Sequence, residues 1–316
     1  MNVRQVIPRD AIPSVNGPEF GSAYDGNPDD RVVVFEPESG PVRAYPVRYL
    51  HYHEIVNDEP NGQPIAVTWC PLCGSAIVYS REASQGTLEF GVSGKLAADD
   101  LVMYDRETET EWKQSSGEAI AGELRGESLA VLPAALITWN EFRERHSDGL
   151  VLQPPGGESE ASGPGDDPAP IDYDAEPYRA YFEHDGFGLD AHRGGDSRAW
   201  KRDDIDPKAV VLGLESDGDA LGFPLPRVED AGNVVTASIG EIDVVVFAAD
   251  GIHAFEHLGF NFEYEDELFF RADGVRWHGA SGESGGGRQL TRLPARRLFA
   301  FAWQDDHGED GFWSPE

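Results

Sequence analysis

Residues 65–82 read "IAVTWCPLCGSAIVYSRE": two β-branched and aromatic runs of strand length, joined by the turn Cys70-Pro71-Leu72-Cys73-Gly74. Pro71 presets φ near about −65°, and Gly74 can take the positive φ that closes the turn. Both cysteines of the chain lie here. Residues 242–259, "IDVVVFAADGIHAFEHLG", repeat the strand-turn-strand pattern without sulfur. The correspondence extends in both directions. "VRAYPVRYL" is answered by "ALGFPLPRV", "EWKQSSGEAIAG" by "VRWHGASGESGG", and "LPAALITWNEFRERH" by "LPARRLFAFAWQDDH". With the anchors Pro46/Pro224, Gly74/Gly251, Trp112/Trp277, Gly117/Gly282 and Pro133/Pro294, these blocks predict two diverged tandem copies.

The expected organisation follows from this. Residues 1–30 form an N-terminal extension, 31–152 the first copy with its CPLCG motif, 153–208 an acidic Gly/Pro-rich linker and docking segment, and 209–316 a degenerate second copy. In the first copy, "RVVVFEPESGPVRAYPV" predicts a hairpin turning at Glu38–Gly40, and "VRYLHYHEIVN" a short helical segment. "PIAVTW", "AIVYSR", "TLEFGVS", "LVMYDR" and "TEWKQ" read as strands. "ITWNEFRERH" reads as an amphipathic helix with Thr138 as its N-cap. Residues 153–170, "QPPGGESEASGPGDDPAP", are too rich in Pro, Gly and acid to pack and predict a flexible loop. The aromatics of "IDYDAEPYRAYFEHDGFGL" can dock back on a domain. The fold class is α+β and strand-rich: two tandem diverged repeats of a mainly-β module with short helices.

Among 316 residues, 58 are Asp or Glu against 25 Lys or Arg, a formal charge of −33, and only four are Lys. Such a surface repels nucleic acid and anionic membranes, which removes both as expected partners. The charges are interleaved with Val, Ile, Leu and aromatic runs, so the chain is globular rather than disordered. A Lys-poor acidic surface suits a halophilic cytoplasm, where about 1 M salt shortens the screening length to about 3 Å. "MNVRQVIPRDAIPSVNGPEF" lacks the apolar core of a signal peptide, and no run approaches about 18 apolar residues, so a soluble cytoplasmic protein is expected. "GVSGKL" has neither P-loop nor nucleophile-elbow spacing, and no nucleotide or flavin site is indicated.

In a reducing compartment a C-x-x-C pair is more often metal-binding or redox-active than structural. Two thiolates on one turn can face a single ion, and the remaining ligands must come from other residue types. His53, with His51 as a further candidate, precedes the strand that leads to Cys70. The second copy has Ala231, Phe247 and Asp250 where the first has His53, Cys70 and Cys73, so all three candidates are absent together. His146 is matched by His307 and behaves as a scaffold position. Glu54 and Asp58 are candidates to orient the His53 imidazole, and Met103 could add a thioether. A mononuclear Zn or Cu site on Cys70, Cys73 and His53 is the leading expectation. Two alternatives stand beside it: a C-x-x-C thiol–disulfide oxidoreductase, and a non-catalytic protein-interaction module without metal whose two repeats form a surface for another protein; the purely structural reading makes the cysteines two small buried hydrophobes in a turn.

"RAYPVRYLHYHEIVND", "VTWCPLCGSAIVYSRE", "FGVSGKL", "LVMYDRETETEWKQSSGEAIAG" and "LPAALITWNEF" resemble the signature blocks of the domain of unknown function family numbered 3179, found in bacteria and haloarchaea. The resemblance covers most of the first copy and the second more loosely, and it implies a haloarchaeal member. It also implies a family His at His53 and family cysteines at Cys70 and Cys73, with no assigned activity. Two departures, the absence of an export signal carried by many relatives and a short second copy, weaken any extracytoplasmic role inferred from them.

Overall fold

The computed structural model describes residues 2–163 and 167–315. Strands take up 39% of the chain and helices 14%, which makes the fold strand-rich α+β.

The first hairpin pairs Arg31–Phe35 with Arg43–Pro46, and Gly40 in its connection has φ 87°. The helix Val47–His53 follows, then strands Ile55–Asp58, Ile65–Cys70 and Ser75–Ser80. Phe90–Ala97, Asp100–Asp105 and Glu111–Lys113 form an antiparallel meander. Strand Ala135–Thr138 then leads into helix Trp139–Arg145, where the Thr138 hydroxyl accepts from the Glu141 amide at 3.2 Å. Residues 210–307 run through strand, strand, helix, three strands, a three-stranded meander, a strand and a helix.

One seven-stranded sheet joins these two stretches of chain. Its order is Val15–Asn16, Ile55–Asp58, Ile65–Cys70, Ser75–Ser80, Arg296–Phe299, Val210–Ser216, Asp219–Pro224, with Arg297 opposite Ala76 where the stretches meet. Alternate side chains of a strand point to opposite faces, so this sheet separates two apolar clusters. Ile65, Val67 and Trp69 pack with Tyr49 and Leu50 of the first helix. Ala66 and Cys70 pack on the other side with Cys73, Met103 and Trp112.

Residues before Arg31 are woven into the sheets. Val3–Gln5 pairs with Phe90–Ala97, Val15–Asn16 with Ile55–Asp58, and Phe20–Gly21 with Leu150–Leu152. In the expected loop, Glu158–Ser159 pairs with Ala169–Pro170 and the Glu160 amide donates to the Ala11 carbonyl; residues 164–166 lie outside the described residues. Beyond it, Tyr178, Tyr181, Phe187 and Leu189 are buried. The Tyr181 hydroxyl donates to the Leu72 carbonyl at 2.7 Å, which docks this segment on the cysteine turn. No helix among the described residues is long and apolar enough to cross a membrane.

Candidate metal centre and its adjoining cavity

Hydrogen bonds fix the cysteine turn. The Gly74 amide donates to Pro71 O, the Phe299 amide to Cys73 O, the Tyr181 hydroxyl to Leu72 O and Arg297 Nη1 to Gly74 O. Gly74 has φ 55°, and a Cβ there would stand 2.5 Å from the Phe299 ring. Conformation and space both demand glycine. The thiols of Cys70 and Cys73 are free and buried.

A third buried group faces them. Ala98 and Asp99, both with positive φ, make the two-residue turn that returns the meander and starts the next strand at Asp100. The Sγ of Cys73 lies 3.4 Å from Asp100 Oδ1 and 3.5 Å from Asp99 O. One ligand atom from each of Cys70, Cys73 and Asp100 lies within 4.8 Å of the others.

Asp100 Oδ2 accepts from the Ser115 amide at 2.9 Å and lies 3.9 Å from Lys113 Nζ. Lys113 is itself buried and bonded to Asp306, which also accepts from the Ser115 hydroxyl at 2.7 Å. Burial pushes the Cys73 thiol well above its ordinary range, and its bond with Cys70 and the Asp100 charge add to the shift. Burial also raises the Asp100 carboxyl, against the opposing pull of Lys113. Burial works against the Lys113 charge, but Asp100 and Asp306 outweigh it and raise its pKa.

Cys70 also lines a cavity of about 90 Å³ with Glu54, Leu72, Tyr178 and His192. Glu54 closes the first helix with φ 56°, and its own carbonyl accepts from the Trp69 amide at 2.8 Å. Its carboxyl side chain is buried. Burial, with Glu160 adding, pushes that carboxyl up to about 8, so it is largely protonated at neutral pH.

The other sequence candidates lie elsewhere. His53 stands outside the converging cluster: Nδ1 lies 2.9 Å from Pro13 O and Nε2 2.6 Å from the Tyr173 hydroxyl. Its helix packs on the Trp69 face of the sheet, whereas Cys70 points to the opposite face. His51 packs 5.8 Å from the Trp69 ring, and burial holds its pKa near about 4. Asp58 is taken by Arg43 at 2.5 Å and the Tyr45 hydroxyl at 2.6 Å, so it does not orient His53. Met103 is wholly buried in the same cluster as both cysteines. Asp100 went unread in the sequence, because an Asp pair at a turn looks like ordinary surface in a chain with 58 acidic residues.

Residues 9–310 match a family described as protein of unknown function (DUF3179), and the chain belongs to that family. No curated protein and no solved structure matches it.

Proposed function

We propose that the chain binds one metal ion through the Cys70 and Cys73 thiolates and the Asp100 carboxylate. The observation that carries this is the convergence within 4.8 Å of three buried ligand atoms, two from the cysteine turn and one from the start of strand Asp100–Asp105. Charge balance supports it. Loss of the two thiol protons beside the Asp100, Lys113 and Asp306 charges balances the arrival of a divalent ion, so the local charge is unchanged. An oxygen ligand in place of imidazole tilts the set from Cu(I) toward Zn(II). Because Cys70 also borders the cavity, a small molecule could approach the ion there, opposite the protonated Glu54 carboxyl. Zinc in such a site acidifies bound water or polarises a carbonyl group.

The test is elemental analysis with thiol counting on protein stripped of metal and reloaded with zinc. Stoichiometric zinc is expected in the wild type, with loss in Cys70→Ser and Cys73→Ser and weaker retention in Asp100→Asn. His53→Ala should keep its zinc. If His53→Ala loses the metal and Asp100→Asn does not, His53 is the ligand instead. Protein that takes up no metal and forms a reversible Cys70–Cys73 disulfide would sink the proposal in favour of a dithiol couple.

We further infer that residues 31–152 and 209–316 descend from one duplicated module. Matched backbone bonds support this reading: Gly117 N to Lys113 O and Gly282 N to His278 O, then Leu129 N to Gly117 O and Leu290 N to Gly282 O. The two turns are also held reciprocally. The Phe299 amide donates to Cys73 O, and the Thr138 amide donates to Asp250 Oδ2 at 2.7 Å.

A further inference from the structure

Trp69 and Cys70 are neighbours on one strand and belong to opposite faces of the sheet. Cys70 borders the small cavity, whereas Trp69 borders a separate cleft of about 510 Å³. We propose that this second cleft binds a small organic carboxylate with a flat apolar body, and that Arg297 and Lys208 hold its charge. The proposal stands whether or not the cysteines bind metal.

Unmatched charge is the first reason. The cations Arg31, Arg48, Lys208 and Arg297 all line the cleft. Arg31 is paired with Asp250 at 2.7 Å, and Arg48 lies 3.7 Å from Asp30 and 3.1 Å from Asp174. Among the described residues Lys208 Nζ donates to backbone carbonyls, those of Tyr181 at 2.7 Å and His184. The only hydrogen bond from Arg297 among the described residues goes from Nη1 to the Gly74 carbonyl. Among the described residues neither forms an ion pair with a carboxylate, although the Asp206 and Asp185 charges favour the Lys208 ammonium from nearby, in a chain where acidic residues outnumber basic ones 58 to 25. Burial, with Arg31 adding, pushes the Arg297 pKa down to about 10, the mark of a desolvated charge without a counter-ion. The carboxylates on the rim do not answer it: Glu176 is held by Arg179 at 3.2 Å, and Asp29 is exposed to solvent.

Shape and the remaining polar atoms set the ligand class. The Nε–Nη2 edge of Arg297 has no acceptor among the described residues, and such an edge matches a carboxylate in two parallel bonds. Trp69, Phe182 and Phe299 supply flat apolar walls. The indole Nε1 of Trp69, a residue only 4% exposed, and the Nε2 of His51 are buried without a hydrogen-bond partner. A buried donor without a partner is costly.

The test uses benzoate as probe and benzamide as its uncharged isostere, with binding followed by saturation-transfer NMR on the full chain. Benzoate should bind saturably and benzamide at least about tenfold more weakly. Arg297→Gln should weaken benzoate by about tenfold or more, and Lys208→Gln by about threefold. Arg297→Gln should stay folded, because relief of a half-buried charge without a carboxylate partner offsets the lost bond to the Gly74 carbonyl. Equal binding of benzoate and benzamide would overturn the proposal, as would no saturable binding by folded protein up to about 10 mM. Should Arg297→Gln fail to fold, unchanged benzoate affinity in Lys208→Gln would overturn it equally.

Discussion

Glu54 stands where the first helix must turn into a strand, and the chain accepts φ 56° at a non-glycine residue to make that turn. The same backbone places its carboxyl in the cavity beside Cys70. Burial raises its pKa from the ordinary 4.5 to about 8. Between those pH values the folded chain holds a proton that the unfolded chain has released, so stability falls as pH rises through this window. The contribution is fully present below about pH 4.5 and gone above about pH 8. Glu54→Gln removes this titration. Urea unfolding should show the variant matching wild type at pH 4.5 and exceeding it by about 2–4 kcal/mol at pH 9. Equal pH slopes in the two proteins would mean that the carboxyl is solvated in the native state.

At the scale of elements, the cysteine turn serves both as a connection within the first half and as a contact with the second. Gly74→Ala would force a Cβ into the Phe299 ring at a backbone φ of 55°. A loss of about 1–3 kcal/mol is expected, read as a lower urea midpoint at unchanged slope. An unaffected midpoint would show that Phe299 can move aside freely. Elements with local causes were legible in the sequence: the hairpin around Glu38–Gly40, the Thr138 cap and the CPLCG turn each follow from residues within a few positions. The remainder depended on distant pairings. Strands as short as Val15–Asn16 and Glu158–Ser159 carry no periodicity, so residues 1–30 and 153–170 read as an extension and a loop. The candidate site was half legible for the same reason. Cys70 and Cys73 announce themselves by spacing, whereas Asp100 reaches them only because the meander folds back across the sheet. His53, close in sequence, is carried away by the face its helix packs on.

Across the whole molecule, the seven-stranded sheet takes strands from both halves, and the contacts at their junction are specific: Arg297 opposite Ala76, Phe299 on Cys73, and Asp250 on Arg31 and Thr138. Neither half can lose its sheet without stripping backbone partners from the other, so unfolding should be one cooperative transition. Set against this cohesion is a formal charge of −33, whose self-repulsion grows as the salt around it thins. Exposed ion pairs weaken in salt, but with 58 acidic residues against 25 basic ones repulsion outnumbers attraction, and screening should favour the compact state. Raising KCl from about 0.1 M to about 2 M should therefore lift the thermal midpoint by about 10 °C or more. Far-UV circular dichroism and tryptophan fluorescence should report the same midpoint at each salt concentration. Two separated transitions would mean that the halves unfold independently despite the shared sheet, and a midpoint indifferent to salt would mean that the acidic surface is not what limits stability.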